Sequence, residues 1–589
     1  MLYPQSNPFR QRSDLNGFWD FRFDPDDNGQ QGGWSNGFSH GQPIAVPASW
    51  NEQLAEGRDN LGPAWYQRRF DLPWGWQAQD IRARIGLRFG SVNYVAEAWL
   101  NGKPIGGHEG GHLPFEFDIT DNVQAEGNLL VVRVDGRLAP DQVPPGNVPP
   151  NPADRFAFTS YPDTSFDFFP FCGIHRPVVL TATPLGGIED ITVTTGIEGT
   201  TGLVRVSLTW RGDSLGDSLG DSRARFTLSG HGFTKTIEKS LTNNEPAVIA
   251  VPEADLWAPG APNLYELTVE LLAAGNVCDR YTLPIGIRTI RVEGDALLLN
   301  GKPVRLRGFG RHEDFPVAGR GFLPPVVIKD YELLRWIGAN SFRTSHYPYS
   351  EEMMQLADRL GFLVIDEIPA VGLFFNQDGL EKRQALCQKD IQELIGRDKN
   401  HPSVVMWSLA NEPHSLGGEA VGFFRDLYDL AKSLDATRPV TLVSHLGVLE
   451  ESFDFLDLVC LNRYAGWYTQ TGQLDEGCRS LAAELDALHG RFSKPIILTE
   501  FGADAIPGMH ANPPDMFSEE YQAEMLSRQI ELCAARPFVV GTHIWNLCDF
   551  KTGQAVHRVG GINYKGVFTR DRRPKLAAHR IKELWGKIS

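Results

Sequence analysis

The chain has 589 residues, of which 42% are hydrophobic and 22% are charged, and its formal net charge at pH 7 is −17. A chain of this length and composition is typical of a soluble protein with roughly three or four domains. Its negative charge argues against nucleic acids and anionic membranes as partners, so an anionic substrate would need a local cationic site.

The beginning of the chain lacks the apolar segment after a basic start that marks a secretory leader. No window approaches the roughly eighteen apolar residues of a membrane-spanning helix. The seven cysteines are an odd number, and none forms a CxxC pair. We therefore predict a cytoplasmic protein with free thiols, without a disulfide framework or a cysteine metal site.

Residues 1–185 are predicted to form a β-sandwich. Short alternating segments, separated by Gly, Pro and Asn, lie at 65–72, 94–100 and 128–134. The dipeptide Asn101-Gly102 is typical of a tight hairpin turn. The stretch from 135 to 167 is rich in proline and aromatic residues and is too long for a plain connection. We expect this loop to reach the functional site of another domain.

The segment from His108 to His112 matches the HExxH zinc pattern by letter. Zinc binding requires both histidines on one face of a helix, whereas here Gly110 and Gly111 follow a hairpin turn. We predict a surface turn and no metal site.

Residues 186–290 form a second β-rich segment, whose size suits one immunoglobulin-like sandwich. Its predicted strands lie near 204–210, 225–228 and 264–271. A threefold GDS repeat at 212–222 contains the Gly-x-Ser-x-Gly pattern twice. The repeat leads into a strand, whereas a serine-hydrolase elbow must lead into a helix. We predict a flexible hairpin loop there.

From residue 291 the pattern changes to buried strands that alternate with amphipathic helices. Two helices have recognisable caps: residues 351–360 follow Ser350 and precede Gly361, and residues 519–535 follow Ser518. The eight predicted strands lie at 305–310, 340–344, 362–366, 404–409, 440–443, 458–461, 496–499 and 541–545. This alternation predicts a (β/α)8 TIM barrel over residues 291–589.

Two of these strands end in a glutamate. The segment VVMWSLANEP (404–413) is apolar until Asn411 and Glu412, and PIILTE (495–500) ends in Glu500. The active site of a (β/α)8 barrel is built from the carboxyl ends of its strands. Two glutamates at these ends can serve as an acid/base and a nucleophile.

Polar and aromatic residues follow the other strands as well. Such a rim is typical of a sugar site, because hydroxyl groups take hydrogen bonds while an aromatic face covers the apolar side of the ring. The rim residues are His312, His346, Glu367, Asn462, Tyr464, Trp545 and Asn546.

Several longer segments resemble the β-glucuronidases of glycoside hydrolase family 2. They are FDFFPFCGIHRPV (166–178), GFGRHED (308–314), GANSFRTSHYPY (338–349), DKNHPSVVMWSLANEP (398–413), LNRYAGWY (461–468), ILTEFG (497–502) and RVGGINYKGVFTRDRRPK (558–575). The resemblance implies a jelly-roll-like sugar-binding sandwich, an immunoglobulin-like sandwich and a catalytic TIM barrel, in that order. It also implies retaining hydrolysis of terminal β-D-glucuronides without a metal or organic cofactor. Tetramers are common in the family, so we expect a homo-oligomer.

The same resemblance assigns roles to individual residues. Glu412 corresponds to the acid/base of the family and Glu500 to its nucleophile, while Asp167 corresponds to the residue that the first sandwich extends toward the sugar. Together with the rim, this gives the expected substrate contacts Asp167, His312, His346, Asn411, Asn462, Tyr464, Tyr468, Trp545, Arg558, Asn563 and Lys565.

The segment Asn563-Tyr564-Lys565 is similar to the Asn-x-Lys pair that separates glucuronidases from the β-galactosidases and β-mannosidases of the family by binding the C6 carboxylate. An ammonium about 4 Å from a carboxylate gains roughly 4 kcal/mol at an effective dielectric constant of about 20, before desolvation is subtracted. Two alternatives stay open: a β-galactosidase or β-galacturonidase of the same family, and a non-catalytic carbohydrate-binding protein.

The segment 373–390 is short, and it lacks the longer active-site insertion that some family members carry. We therefore expect an open aglycone side, which accepts oligosaccharide glucuronides as well as small molecules.

Overall fold

A computed structural model of the chain describes residues 1–76, 83–148, 159–212, 223–241, 245–375 and 378–588. The predicted loop at the GDS repeat, from residue 213 onward, and residues 149–158 of the long loop lie outside the described residues. Within the described ranges, every helix is too short or too polar to cross a membrane.

The first sandwich consists of the elements Gln11–Asp14 (β1), Gly17–Phe23 (β2), Gln42–Val46 (β3), Trp50–Gln53 (α1), Ala64–Phe70 (β4), Ala83–Phe89 (β5), Val92–Asn93 (β6), Val95–Leu100 (β7), Lys103–Glu109 (β8), Phe115–Asp118 (β9), Asn128–Asp135 (β10), Gly173–Ile174 (β11) and Val178–Pro184 (β12). Its two main sheets have the strand orders β1-β12-β5-β9 and β3-β2-β4-β10-β7-β8. Asn101 and Gly102 join β7 to β8 with φ angles of 53° and 78°. Both angles are left-handed, as a type I′ turn requires, which confirms the predicted hairpin.

The second sandwich consists of Ile188–Glu198 (β13), Thr201–Trp210 (β14), Arg223–Gly230 (β15), Phe233–Ser240 (β16), Ala247–Val251 (β17), Trp257–Ala258 (β18), Ala261–Pro262 (β19), Tyr265–Ala273 (β20) and Asn276–Ile285 (β21). Among the described residues, its two main sheets have the orders β13-β14-β17 and β16-β15-β20-β21. This arrangement of three strands against four fits the predicted immunoglobulin-like sandwich.

The third region begins with a small antiparallel sheet and continues as a barrel. The sheet consists of Ile290–Glu293 (β22), Ala296–Leu299 (β23) and Lys302–Pro303 (β24). The barrel region consists of Leu306–Gly310 (β25), Pro324–Ile337 (α2), Ser341–Arg343 (β26), Glu351–Leu360 (α3), Leu363–Glu367 (β27), Leu380–Asp398 (α4), Val404–Asn411 (β28), Gly418–Leu434 (α5), Val440–Ser444 (β29), Val459–Asn462 (β30), Leu474–Phe492 (α6), Ile496–Glu500 (β31), Glu519–Ala534 (α7), Val539–Ile544 (β32), Phe550–Lys551 (β33), Ile562–Asn563 (β34) and Leu576–Ile588 (α8). Strands β25 to β32 close into a barrel in chain order, which confirms the predicted TIM barrel.

The local sequence explains these barrel elements. β28 is buried at every position, because its continuous apolar run faces the barrel interior on one side and the surrounding helices on the other. Ser350 caps α3 by accepting a hydrogen bond from the backbone N–H of Met353, and Ser518 caps α7 through the N–H of Tyr521. Gly361 ends α3 with a φ of 77°.

The turn that contains His112 is not on the surface, so the prediction of a surface turn is wrong. His112 is only 3% exposed, and its ring stacks on Tyr347 at 4.5 Å between ring centroids. Lys389 on α4 donates a hydrogen bond of 2.8 Å to the carbonyl of Glu109. The first sandwich therefore contacts the barrel through this turn, an interdomain contact that a local sequence pattern does not reveal.

Candidate active site

The carboxyl ends of the barrel strands open into a cavity of about 1730 Å³. Of the residues expected from the sequence, those that line it are Asp167, His346, Asn411, Glu412, Tyr464, Tyr468, Glu500, Trp545, Arg558, Asn563 and Lys565. Asn462 lies just behind the lining and contacts Glu412 directly. His312 is buried behind the lining, where its Nδ1 is 3.0 Å from the hydroxyl of Tyr347.

Glu412 follows β28 and is held by backbone and side-chain contacts. Its N–H donates to the carbonyl of Val443 at 2.8 Å, and Asn462 Nδ2 donates to Glu412 Oε1 at 2.9 Å. The φ angle of Glu412 is 46°, in the left-handed region. This conformation costs a residue other than glycine of order 1 kcal/mol, and such strain is concentrated at functional sites. The sharp bend leaves the Glu412 side chain lining the cavity.

Glu500 ends β31 and is almost completely buried. Tyr464 donates its hydroxyl hydrogen to Glu500 Oε2 at 2.7 Å, and Arg343 donates to Glu500 Oε1. Burial raises the pKa of Glu500 to about 8, Arg343 opposes this increase, and the negative charge of Glu412 adds to it. The charge of Glu412 therefore affects the ionisation of Glu500.

Arg343, at the end of β26, is the main residue that the sequence interpretation missed. It is fully buried and donates both to Glu500 and, at 2.7 Å, to Glu367. His346 Nδ1 also lies 3.0 Å from Glu367. Glu367 is therefore not a rim residue, as the sequence suggested, but a buried carboxylate beneath the cavity. The available signal was its position at the end of a barrel strand, which places Arg343 near the site but does not reveal its partners.

A second polar cluster lies beside the two glutamates. Lys565 is 1% exposed, and its Nζ donates to Asp504 Oδ2 at 2.6 Å and to the Tyr468 hydroxyl at 2.9 Å. Arg558 Nη2 donates to the same hydroxyl at 3.0 Å, and its Nη1 reaches Asp504 at 3.4 Å. Asp504, which the sequence interpretation also missed, holds both cations in the cavity wall.

Asp167 comes from the long loop of the first sandwich and joins this cluster. Arg558 Nε donates to Asp167 Oδ1 at 3.0 Å, and Asn563 Nδ2 donates to Asp167 Oδ2 at 2.9 Å. The expectation that this loop reaches another domain's site is confirmed. The cavity thus combines two glutamates with a cluster that can bind an anion and several hydroxyl groups.

Aromatic rings form two separate parts of the cavity wall. Trp545 stacks on His346 at 4.8 Å between centroids, close to the glutamates. On the other side, Phe374 stacks on His414 at 4.6 Å, and Leu416 is exposed. Helix α4 already begins at Leu380, so most of the short segment 373–390 belongs to this helix, and residues 376–377 lie outside the described residues.

The comparisons with known proteins agree with this architecture. The glycosyl hydrolases family 2 sugar binding domain matches residues 12–184, the family 2 model without further description matches 187–288, and the family 2 TIM barrel domain matches 290–589. A β-glucuronidase of Paenibacillus borealis is 41% identical over 611 residues, which cover 100% of this chain and 99% of that protein.

Solved structures are equally similar over the full length. A β-glucuronidase from an uncultured Clostridium sp. is 40% identical, with a TM-score of 0.91 and 100% coverage of both chains. The Ruminococcus gnavus β-glucuronidase in complex with D-glucuronic acid is 36% identical, with a TM-score of 0.91 and 99% coverage of both chains. Since the three family models match successive segments along nearly its whole length, the chain belongs to glycosyl hydrolases family 2.

Proposed function

We propose that the protein is a retaining β-glucuronidase, which hydrolyses terminal β-D-glucuronides to D-glucuronate and an aglycone alcohol. The observation that carries the proposal is the presence of Lys565 and Arg558 in the cavity that also contains Glu412 and Glu500. A cationic pair beside two carboxylates suits a sugar that is itself an acid. The full-length similarity to β-glucuronidases supports the same conclusion.

In the proposed mechanism, Glu412 donates a proton to the glycosidic oxygen while ionised Glu500 attacks the anomeric carbon. The bond to the aglycone breaks, and a covalent glycosyl-enzyme forms. Glu412 then removes a proton from water, which attacks the anomeric carbon and releases glucuronate with its β configuration retained. The mechanism requires the two carboxyl groups to lie about 5 to 5.5 Å apart. We expect no metal or organic cofactor.

The hydrogen bonds around the glutamates support this division of roles. With its pKa raised to about 8, Glu500 can hold a proton near neutral pH in the free enzyme. Arg343 and Tyr464 both donate to Glu500, and such donors stabilise an ionised carboxylate. A glycosidic oxygen beside Glu412 would accept a hydrogen bond from its protonated form. We infer that the bound substrate favours the catalytic arrangement, in which Glu500 is ionised and Glu412 carries the proton.

The polar cluster is proposed to recognise the sugar. Lys565 and Arg558 would bind the C6 carboxylate, with Asn563 as a further donor, and Asp167 would accept hydrogen bonds from ring hydroxyls. Asn411, Asn462, Tyr464, Tyr468, His346 and Trp545 complete the proposed contacts. We propose that His312 acts on the sugar only through its neighbours. It is buried next to His346 and Trp545, with ring centroids 5.6 Å and 5.3 Å away.

The decisive test is hydrolysis of the p-nitrophenyl β-glucuronide, β-galactoside and β-galacturonide by wild type and Lys565→Ala. We expect wild type to prefer the glucuronide strongly, and Lys565→Ala to lose that preference while it keeps weak activity on the galactoside. Lys551→Ala is the matched control, because Lys551 pairs with Glu52 and does not line the cavity. A better rate with either galactose-derived substrate would instead identify a β-galactosidase or β-galacturonidase, an alternative that the relatives do not favour.

The absence of any hydrolysis would indicate a carbohydrate-binding protein. Glu500→Gln controls for a contaminating enzyme, because removal of the proposed nucleophile must abolish the measured rate. Binding of glucuronate without turnover by wild type would contradict the proposed function.

Further properties of the protein are part of the proposal. We propose domains at 1–185, 186–290 and 291–589. We also propose a homo-oligomer, with a tetramer as the form to test by light scattering. A cytoplasmic location stays a prediction, which the seven free cysteines support. For the aglycone we propose that oligosaccharide glucuronides are accepted and preferred, because the cavity has a volume of about 1730 Å³ and its lining extends to Phe374 and Leu416. Equal or better turnover of small aryl glucuronides would contradict this preference.

A further inference from the structure

A second cavity lies at the opposite end of the barrel, between the second sandwich and the starts of two barrel strands. Its volume is about 200 Å³. Its walls come from β13, from the residues after β21, from the segment that precedes β28 and from the residues just before β29. No residue of the proposed active site lines it.

The lining of this cavity is cationic. It includes the three basic residues Arg288, Lys399 and Arg438, together with the neutral polar residues Thr194 and Asn400, but no aspartate or glutamate. This composition stands out in a chain whose formal net charge is −17. A concave, low-dielectric wall of one sign concentrates ions of the opposite charge.

Arg288 is the centre of the cavity wall. It is 5% exposed and donates to two backbone carbonyls, from Nε to Pro402 at 3.1 Å and from Nη2 to Val404 at 2.6 Å. Across the described ranges, Arg288 forms no ion pair with a carboxylate. Burial lowers the pKa of Arg288 and the neighbouring charge of Arg438 lowers it further, while the more distant carboxylates of Asp435 and Asp358 oppose this decrease only in part. A buried cation of this kind is costly unless a counter-charge is supplied.

Within the described part of the chain, the carboxylates near this cavity form ion pairs with the other two cations, Arg438 and Lys399, and not with Arg288. Arg438 Nε donates at 2.7 Å to the same Val404 carbonyl, so two guanidinium groups converge on one oxygen atom. Arg438 forms an ion pair with Asp435, and Lys399 forms one with Asp190. Lys399 and Arg438 therefore each have a carboxylate in direct contact, whereas Arg288 has none among the described residues.

We propose that this cavity binds a small inorganic oxyanion of the phosphate or sulfate type. Guanidinium groups present forked N–H donors that match the oxygens of such anions. The volume corresponds to roughly six water molecules at about 30 Å³ each, and it is smaller than the roughly 300 to 1,000 Å³ of pockets for drug-sized ligands. The free ion therefore fits, and the cavity is too small to enclose a nucleotide. The bound anion would join the second sandwich to the start of β28, the strand that ends next to Glu412.

The test is the melting temperature of the full-length protein in increasing inorganic phosphate, compared with sodium chloride at equal ionic strength. We expect a saturable increase with phosphate and with sulfate that chloride does not reproduce. In Arg288→Gln the apparent affinity for phosphate should be about tenfold weaker, because charged hydrogen bonds are lost. Arg291→Gln is the matched control, since Arg291 is exposed and pairs with Glu293.

Two further variants keep the experiment decisive. Lys565→Gln must retain the phosphate effect, because its loss would mean that the anion binds at the proposed active site. If Arg288→Gln does not fold, Lys399→Gln must weaken phosphate binding to the folded protein in a calorimetric titration. A phosphate effect no larger than that of chloride overturns the proposal, and so does an unchanged response in the folded cavity variants.

Discussion

Glu500 is subject to opposing influences from its nearest neighbours. Burial raises its pKa to about 8, Arg343 lowers it, and the charge of Glu412 raises it again. As the proposed nucleophile must be ionised, the acidic limb of the pH dependence of kcat/KM should report on the ionisation of Glu500 in the free enzyme. Substitutions at its two charged neighbours should therefore move this limb in opposite directions.

For Glu412→Gln we expect the acidic limb to move to lower pH. The substitution removes a negative charge, so less free energy is needed to ionise Glu500. The measurement is kcat/KM for p-nitrophenyl β-glucuronide as a function of pH, because this leaving group needs little acid assistance. Glu419→Gln is the control, since Glu419 lines the same cavity but is exposed. A limb at unchanged or higher pH in Glu412→Gln would contradict the expected coupling.

For Arg343→Gln we expect the acidic limb to move to higher pH, because a cation that stabilises ionised Glu500 is lost. Below the limb, each unit of upward shift lowers the ionised fraction about tenfold. Arg343→Lys retains the charge and should lie between wild type and Arg343→Gln. Circular dichroism should show that both variants fold. Identical pH profiles for wild type and the two variants would contradict the proposal that Arg343 stabilises ionised Glu500.

In the segment between α4 and β28, a histidine interacts with carboxylates on two barrel helices. His401 lies in this segment, with Nδ1 bound to Asp358 on α3 and Nε2 3.8 Å from Asp398 on α4. Burial alone would lower the pKa of His401, but the two carboxylates outweigh it and raise the pKa to about 9. The contact thus joins two barrel helices to the start of the strand that leads to Glu412.

We expect this contact to make the stability of the protein depend on pH. With a folded pKa of about 9 against 6.5 for the ordinary group, the contribution is complete below pH 6.5 and is lost as the pH rises through 9. The full shift corresponds to an upper limit of about 3 kcal/mol. The melting temperature of wild type should fall relative to His401→Gln across this interval. In the Asp358→Asn background the same comparison should give a much smaller difference, and an equally large one would contradict this explanation.

Many elements of the barrel and of the first sandwich were predictable because each carries its own local signal. The apolar run of β28, the serine caps of α3 and α7 and the Asn101-Gly102 turn each specify one local conformation. Contacts between elements that are far apart in the sequence were harder to predict from it. The burial of His112 against Tyr347 depends on where the first sandwich meets the barrel, and no local pattern encodes that position.

The same limit applies to the candidate site. Glu412 and Glu500 stand out because a charge ends an apolar strand, and Lys565 stands out through its resemblance to a known motif. Arg343 and Asp504 do not stand out in this way, since their importance lies in partners far along the chain.

At the scale of the whole molecule, the candidate site combines residues of the first sandwich and of the barrel. Asp167 contacts Arg558 and Asn563, which are almost four hundred positions further along the chain. For Asp167→Ala we expect a higher KM for the aryl glucuronide, because Arg558 loses a partner and the sugar loses an acceptor. Asp141→Ala, in the same loop, is the control and should change KM little, because Asp141 pairs with Lys382 and does not line the cavity. An unchanged KM in Asp167→Ala would place the sugar away from the first sandwich.

The contact of Asp167 with Asn563 also has a consequence for how the protein is made. During synthesis the first sandwich can fold long before the ribosome has produced the residues near 560. The proposed site cannot form until those residues have left the ribosome and the barrel has folded against the loop that carries Asp167. Translation products that end before residue 560 would therefore be inactive, and hydrolysis would begin only after this last part of the barrel has been made.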